Sequence, residues 1–314
     1  MARGVRDFVY WVLSKPSVSQ SLARTGMRSG FAQRFVAGET LEEALAASQR
    51  LAAGGRRIIL NHLGENVTTE EQAREAAESY SEMLRQIHAR GIDGNTAIKL
   101  THLGLDLNRD LAVELATSIT AQARELGLGV EMDMESSEYT SITIEVFEAV
   151  RRKFENVALA IQCYLRRSED DLKRLAPLEP RIRLVKGAYR EPANIAFPSK
   201  ADVDANYVRL LDLLFDGPFF PAIGTHDPKL VDYAERRIRE KKLGPEQYEF
   251  QMLYGVRRDL QTKLRADNHP LRIYVPFGTE WFPYFMRRLV ERPANTLFVL
   301  RSLTAEGFLG GKHS

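Results

Sequence analysis

The chain has 314 residues, 44% of them hydrophobic and 27% charged, with a formal net charge of +2. That length and apolar content suit either one α/β barrel or two smaller domains. A single cysteine, Cys163, excludes an intramolecular disulfide framework and points to a reducing compartment, and no nucleic-acid partner is expected.

The front of the chain is basic: Arg3, Arg6, Lys15, Arg24, Arg28 and Arg34 stand against only Asp7 in residues 1–36. This reads as a solvated helical face, with docking on an anionic membrane or an acidic partner as the functional alternative. FVYWVL (8–13) is too short for a signal-peptide core, and no apolar run approaches the roughly 18 residues of a membrane span. Residues 1–54, rich in helix formers and ending in Gly54-Gly55, are expected to form an N-terminal helical segment ahead of a second unit, 55–314.

Eight strand candidates follow in order: RRIILNHLGE (56–65), TAIKLTHLG (96–104), LGVEMDMES (128–136), VALAIQCYL (157–165), RIRLVKGAY (181–189), FFPAIGTHD (219–227), YEFQMLYG (248–255) and LRIYVPFG (271–278). The segments between them have helical periodicity and start signals. Thr68 with Glu71 reads as a capping box, Ser168 with Asp171 as a weaker one, and Asp227-Pro228 as a cap with a first-turn proline. Strands alternating with helices imply parallel pairing, and eight such units match a distorted (β/α)8 TIM-type barrel. A doubly wound open sheet would normally carry a nucleotide turn, and no GxGxxG occurs.

A barrel carries its chemistry at the carboxyl ends of its strands. Those ends hold Glu65, Lys99, Asp133 with Glu135, Gln162, Arg183 with Lys186, Thr225 with His226, Gln251 and Tyr274. Arg183 lies between Ile182 and Leu184, where an unpaired charge is costly; it must meet a carboxylate, a phosphate or an electron-rich ligand, or a structural acid inside the barrel. Lys99 and Asp133 are placed to pair across adjacent strand ends, as a structural salt bridge or as catalytic groups. Gly187, after Lys186, lets backbone approach a ligand closely. After the last strand, FMRRLVER (285–292) sets Arg288 on the same helical face as Trp281 and Phe285, so Arg287 and Arg288 read as a carboxylate clamp oriented by Glu291. The histidines show no metal-ligand spacing and neither HExxH nor paired CxxC occurs, so no metal is expected.

With these residues assembled, the sequence resembles the proline dehydrogenase family, in particular its stand-alone bacterial members. The matching motifs, in order, are IKLTHLG, EMDMES, IQCYL, RLVKGAY, GTHD, YEFQMLYG, RIYVPFG and FMRRLVERPAN, spread over residues 56–300. The resemblance implies FAD-dependent oxidation of L-proline to Δ1-pyrroline-5-carboxylate, with electrons passed to a membrane quinone and the product to a separate pyrroline-5-carboxylate dehydrogenase. It implies a cytoplasmic protein with a peripheral encounter at the inner face of the membrane. By position, Arg287, Arg288 and Lys99 would bind the proline carboxylate, Glu291 would support the arginines, and Asp133, Tyr274 and Leu253 would shape the substrate pocket. Lys99, Asp133 and Arg183 form the implied catalytic group. Gln162, Arg183, Lys186, Gly187, Ala188, Tyr189, Ser199, Lys200, Thr225, His226, Asp227, Gln251 and Leu253 would line the flavin, with Ser199 and Lys200 at its phosphates. Tyr274 goes with preference for proline over hydroxyproline. Asp227 stands where many relatives have Asn, and Cys163 where Ala is common.

Two other readings of the same residues exist. Lys99 or Lys186 could form an imine in a Schiff-base aldolase. Alternatively, a non-catalytic scaffold would use residues 1–54 to bind a membrane or protein partner.

Overall fold

A computed structural model of the protein describes residues 32–282 and 284. Eight strands run parallel in chain order and close into a barrel through a β1–β8 seam. They are β1 (Arg57–His62), β2 (Gly94–Ile98), β3 (Gly129–Met132), β4 (Val157–Gln162), β5 (Arg181–Val185), β6 (Phe220–Gly224), β7 (Glu249–Leu253) and β8 (Leu271–Phe277). Helix α1 (Leu41–Ala53) precedes β1. The connections are covered by α2 (Glu70–Ala89), α3 (Arg109–Glu125), α4 (Thr140–Arg151), α5 (Ser168–Leu175), α6 (Lys200–Asp216), α7 (Pro228–Lys241) and α8 (Arg258–Ala266). The expected TIM-type barrel is therefore present.

Local chemistry explains the arrangement. Strand β4, VALAIQ, is buried at every residue because the barrel interior covers one face and helices the other. Helix α2 turns Ala73, Ala76, Ala77, Tyr80, Met83, Leu84 and Ile87 inward, at the three- and four-residue spacing of an apolar stripe. Helix α1 begins in a capping box: Thr40 Oγ1 accepts from the Glu43 N–H at 3.3 Å, and the Glu43 carboxylate accepts the Thr40 N–H at 3.0 Å. Just ahead of it, the chain crosses the seam, with Ala37 N–H donating to Pro276 O at 2.8 Å and Gly278 N–H to Gly38 O at 3.1 Å.

Two expected caps are corrected. The box expected at Thr68 and Glu71 is displaced by one residue: Thr69 is the N-cap, accepting from Gln72 N–H at 3.2 Å, while Gln72 Oε1 takes the Thr68 N–H at 2.8 Å. The run TTEEQ contains both registers, and local pattern alone does not separate them. Ser168 does not cap α5; its buried hydroxyl donates to Gln162 O at 2.6 Å, and Asp171 instead holds Arg167. Asp227 caps α7 as expected, accepting from Lys229 N–H at 3.2 Å ahead of Pro228.

Candidate active site

Side chains alternate along a strand, so Glu131 and Asp133 of EMDMES turn toward the barrel axis at rising heights, while Glu135, beyond β3, bonds Thr101 instead. The lowest layer is a buried polar network. Gln251 Nε2 donates to Glu131 Oε1 at 2.9 Å and to Glu249 Oε1 at 2.8 Å, and Arg272 Nε reaches the same Glu249 oxygen at 3.0 Å. Burial pushes the Glu131 carboxyl up. Burial would raise Glu249 as well, but Arg272 and Arg181 outweigh it and hold that carboxyl down at about 2. Because both amide N–H groups of Gln251 are committed downward, its Oε1 is left as an acceptor with no partner among the described residues.

Above this layer Arg183 joins Glu131, at 3.4 Å, to Asp133. Asp133 also accepts from the Tyr274 hydroxyl at 2.6 Å and lies 3.9 Å from Lys99 Nζ. Burial favours a neutral Asp133, but the Arg183 and Lys99 charges and the Tyr274 hydrogen bond prevail, keeping it ionised and below the usual carboxylate range. Arg183 thus meets acids inside the barrel, yet its Nε has no partner among the described residues and it faces the cavity above.

That cavity, about 670 Å³, opens at the carboxyl ends of the strands. Its lining gathers Lys99, Asp133, Gln162, Arg183, Lys186, Gly187, Ala188, Tyr189, Lys200, Thr225, His226, Asp227, Gln251, Leu253 and Tyr274. Lys186 Nζ is committed to Asp204 at 2.5 Å and Asp227 at 2.9 Å, and Lys200 approaches Asp227 at 3.1 Å and Asp204 more closely. Burial opposes ionisation of Asp227, but its hydrogen bonds to Lys186 and Lys200 take it down to about 2. Gly187 has φ +107°, and a Cβ there would stand 2.2 Å from the Tyr164 ring. His226 Nε2 accepts from Leu253 N–H at 2.9 Å, which places the proton of the neutral ring on Nδ1. Gln162 Nε2 donates to Glu135 O at 2.8 Å, tying β4 to the end of β3.

Ser199 is not in this lining. It caps α6, accepting from Asp202 N–H at 3.1 Å and donating to the Asp202 carboxylate at 2.6 Å. Arg287, Arg288 and Glu291, and the basic residues 1–31, lie outside the described residues. The cavity also takes Asn61 and Arg257, which the sequence reading did not single out. Asn61 is 1% exposed with its Oδ1 unpartnered among the described residues; a polar residue inside the apolar run RIILNH was the available signal. The lining combines cations, an amide oxygen acceptor and a backbone cradle, a donor set suited to a planar, partly anionic ligand.

Comparison with known proteins agrees with this architecture. The family model described as proline dehydrogenase matches residues 44–301. Proline dehydrogenase 1 of Bacillus subtilis strain 168 is 36% identical over 296 residues, covering 94% of this chain and 98% of its own. Proline dehydrogenase of Deinococcus radiodurans is 39% identical over 303 residues, covering 95% and 97%. Among solved structures, proline utilization A from Bdellovibrio bacteriovorus superimposes with a TM-score of 0.79 at 24% identity, over 84% of this chain and 32% of that one. This chain therefore spans about a third of that larger structure, and the likeness there is one of fold. A Schiff-base aldolase finds no support among these matches. With a family model over most of its length and relatives matched nearly end to end, the chain belongs to the proline dehydrogenase family of oxidoreductases.

Proposed function

We propose that this chain oxidises L-proline to Δ1-pyrroline-5-carboxylate with FAD as its cofactor and a quinone as electron acceptor. The observation that carries this reading is the cluster centred on Asp133, where Lys99, Arg183 and Tyr274 converge in the cavity lining.

The residues present fit FAD. Gln251 and Arg183 line the cavity, and Gln251 Oε1 and Arg183 Nε, both buried, are an acceptor and a donor with no partner among the described residues. Gly187 permits close backbone approach, and Lys186 and Lys200, each bridging Asp204 and Asp227, would have to turn from these acids to meet a phosphate. FAD, when bound, would supply the acceptor for the hydride on ring carbon C5 of proline, the carbon beside the nitrogen that does not bear the carboxylate. Lys99 takes the substrate carboxylate; Arg287, Arg288 and Glu291, given to the same carboxylate by resemblance, lie outside the described residues. Tyr274, fixed by Asp133, bounds the ring, and Leu253 supplies an apolar contact. Asp133, held ionised and already engaged by two donors, is a weak base and acts as an anchor for the cations around it. Among the described residues no helix is long and apolar enough to cross a membrane.

The test is an absorbance spectrum of the purified protein followed by anaerobic addition of L-proline. A flavin spectrum that bleaches with proline is expected. Lys99→Met should then raise KM for proline by at least about tenfold, the scale of one charge-assisted hydrogen bond. A protein that stays colourless after reconstitution with FAD overturns the reading.

A further inference from the structure

Lys99 stands one residue beyond β2, and the turn that carries it is held from two sides by groups outside the cavity. Tyr80 of α2 is wholly buried beneath the turn, and its hydroxyl lies 2.9 Å from His102 Nδ1. With the ring neutral, the hydroxyl donates to Nδ1, which leaves the imidazole proton on Nε2. On the opposite side Thr101 gives its N–H, at 3.2 Å, and its hydroxyl, at 2.6 Å, to the carboxylate of Glu135. The His102 ring packs edge-on to Tyr80 and to His62, with centroids 5.6 Å apart in each case. Burial, His62 and the Lys99 charge together push His102 down to about 3, so the ring adds no second positive charge beside Lys99. Neither Tyr80 nor His102 lines the cavity.

From this geometry we infer that Tyr80 and His102 are positioning residues for substrate recognition: they hold the Lys99 turn so that its ammonium faces the cavity opposite Asp133, and thereby set the affinity for the substrate carboxylate. The inference rests on the reading of Lys99 as a carboxylate ligand. A buried hydroxyl bonded to the His102 imidazole ties α2 to the turn just beyond Lys99 and leaves that turn little freedom, because either partner released from it would remain buried and unpaired. Freed from the hydroxyl, the turn would let the ammonium relax toward Asp133 and away from the ligand.

The experiment uses the flavin-loaded enzyme and tetrahydrofuran-2-carboxylate, an oxygen isostere of proline that cannot form an imine, with binding read from the flavin spectrum. Tyr80→Phe should weaken its binding by about five- to tenfold, the scale of one net hydrogen bond. Turnover at saturating proline should stay within about twofold of wild type. In a Lys99→Met background the same substitution should have no further effect, since Tyr80 acts through Lys99. His102→Leu should reproduce Tyr80→Phe, whereas His102→Asn, which keeps an acceptor near the Nδ1 position, should restore binding. This pair decides the matter if Tyr80→Phe does not fold. Equal weakening with and without Lys99 overturns the inference, as does wild-type binding by Tyr80→Phe and His102→Leu. If Lys99→Met itself leaves carboxylate binding unchanged, the underlying reading of Lys99 fails; if it weakens binding while Tyr80→Phe is silent, only the present inference fails.

Discussion

Asp133 and Gly187 show how much a single position can carry. The buried Asp133 carboxylate stays ionised because Arg183, Lys99 and Tyr274 offset its desolvation, so Tyr274→Phe removes a donor at 2.6 Å from a charged acceptor. Losing such a bond costs about 1.5–3 kcal/mol, and kcat/KM for proline should fall by about tenfold or more. Tyr274 also bounds the ring, and 4-hydroxyproline is expected to be a poor substrate; comparable kcat/KM for the two would refute this role. Gly187→Ala places a methyl against the Tyr164 ring at a backbone angle that L-residues avoid. It should lower stability by more than about 1 kcal/mol and reduce the flavin content of the purified protein, measured as the ratio of visible to ultraviolet absorbance. Lys99, Asp133 and Arg183 were legible in the sequence because a charge within an apolar strand needs a partner. Tyr80 was not, since on the apolar face of α2 it looks like any core aromatic and only the folded turn brings His102 to its hydroxyl. Ser199 was placed at the phosphates by resemblance, but its side chain is spent on a helix cap.

Among the elements, all eight strands were legible, but each candidate segment overran the observed carboxyl end, the last by a single residue. RRIILNHLGE, for example, contributes only Arg57–His62 to the sheet. The polar residues that follow belong to loops beyond the last ladder bond, and these loops carry much of the site. Helix starts were less legible, because a capping motif reports a possible bond and tertiary packing chooses among the candidates. The choice at α2 can be measured. Thr69→Ala should cost about 1 kcal/mol in urea denaturation, and Thr68→Ala clearly less, since only the former side chain accepts from a first-turn amide. Equal costs would return the cap to the Thr68 register.

For the whole molecule, closure of the barrel followed from the alternation of strands and helices, whereas the pairing inside it did not. Gln251 bridges Glu131 and Glu249 only once β3 and β7 face each other across the interior, a relation that no local pattern encodes. The same network sets the acid limit of stability. Glu249 is lowered to about 2 in the folded state, so the stability it contributes is complete above its unfolded value of about 4.3 and is lost as pH falls toward 2. Glu131, raised by burial, acts in the opposite sense. Between about pH 5 and 2 the urea midpoint should therefore fall more steeply for wild type than for Glu249→Gln, and parallel curves would exclude Glu249 as the source. The seam between β1 and β8 has a further consequence, for how the protein is made. Ile59 pairs with Tyr274, and the amide of Ala37 with Pro276, across more than two hundred residues of chain. Contacts so distant in sequence form slowly, and a ribosome delivers only about 5–20 residues per second. For most of its synthesis the nascent chain is thus an open sheet with the edge of β1 unpaired. The ring cannot shut before β8 leaves the ribosome, and until then the β1 edge offers unpaired backbone groups to any other strand that meets it.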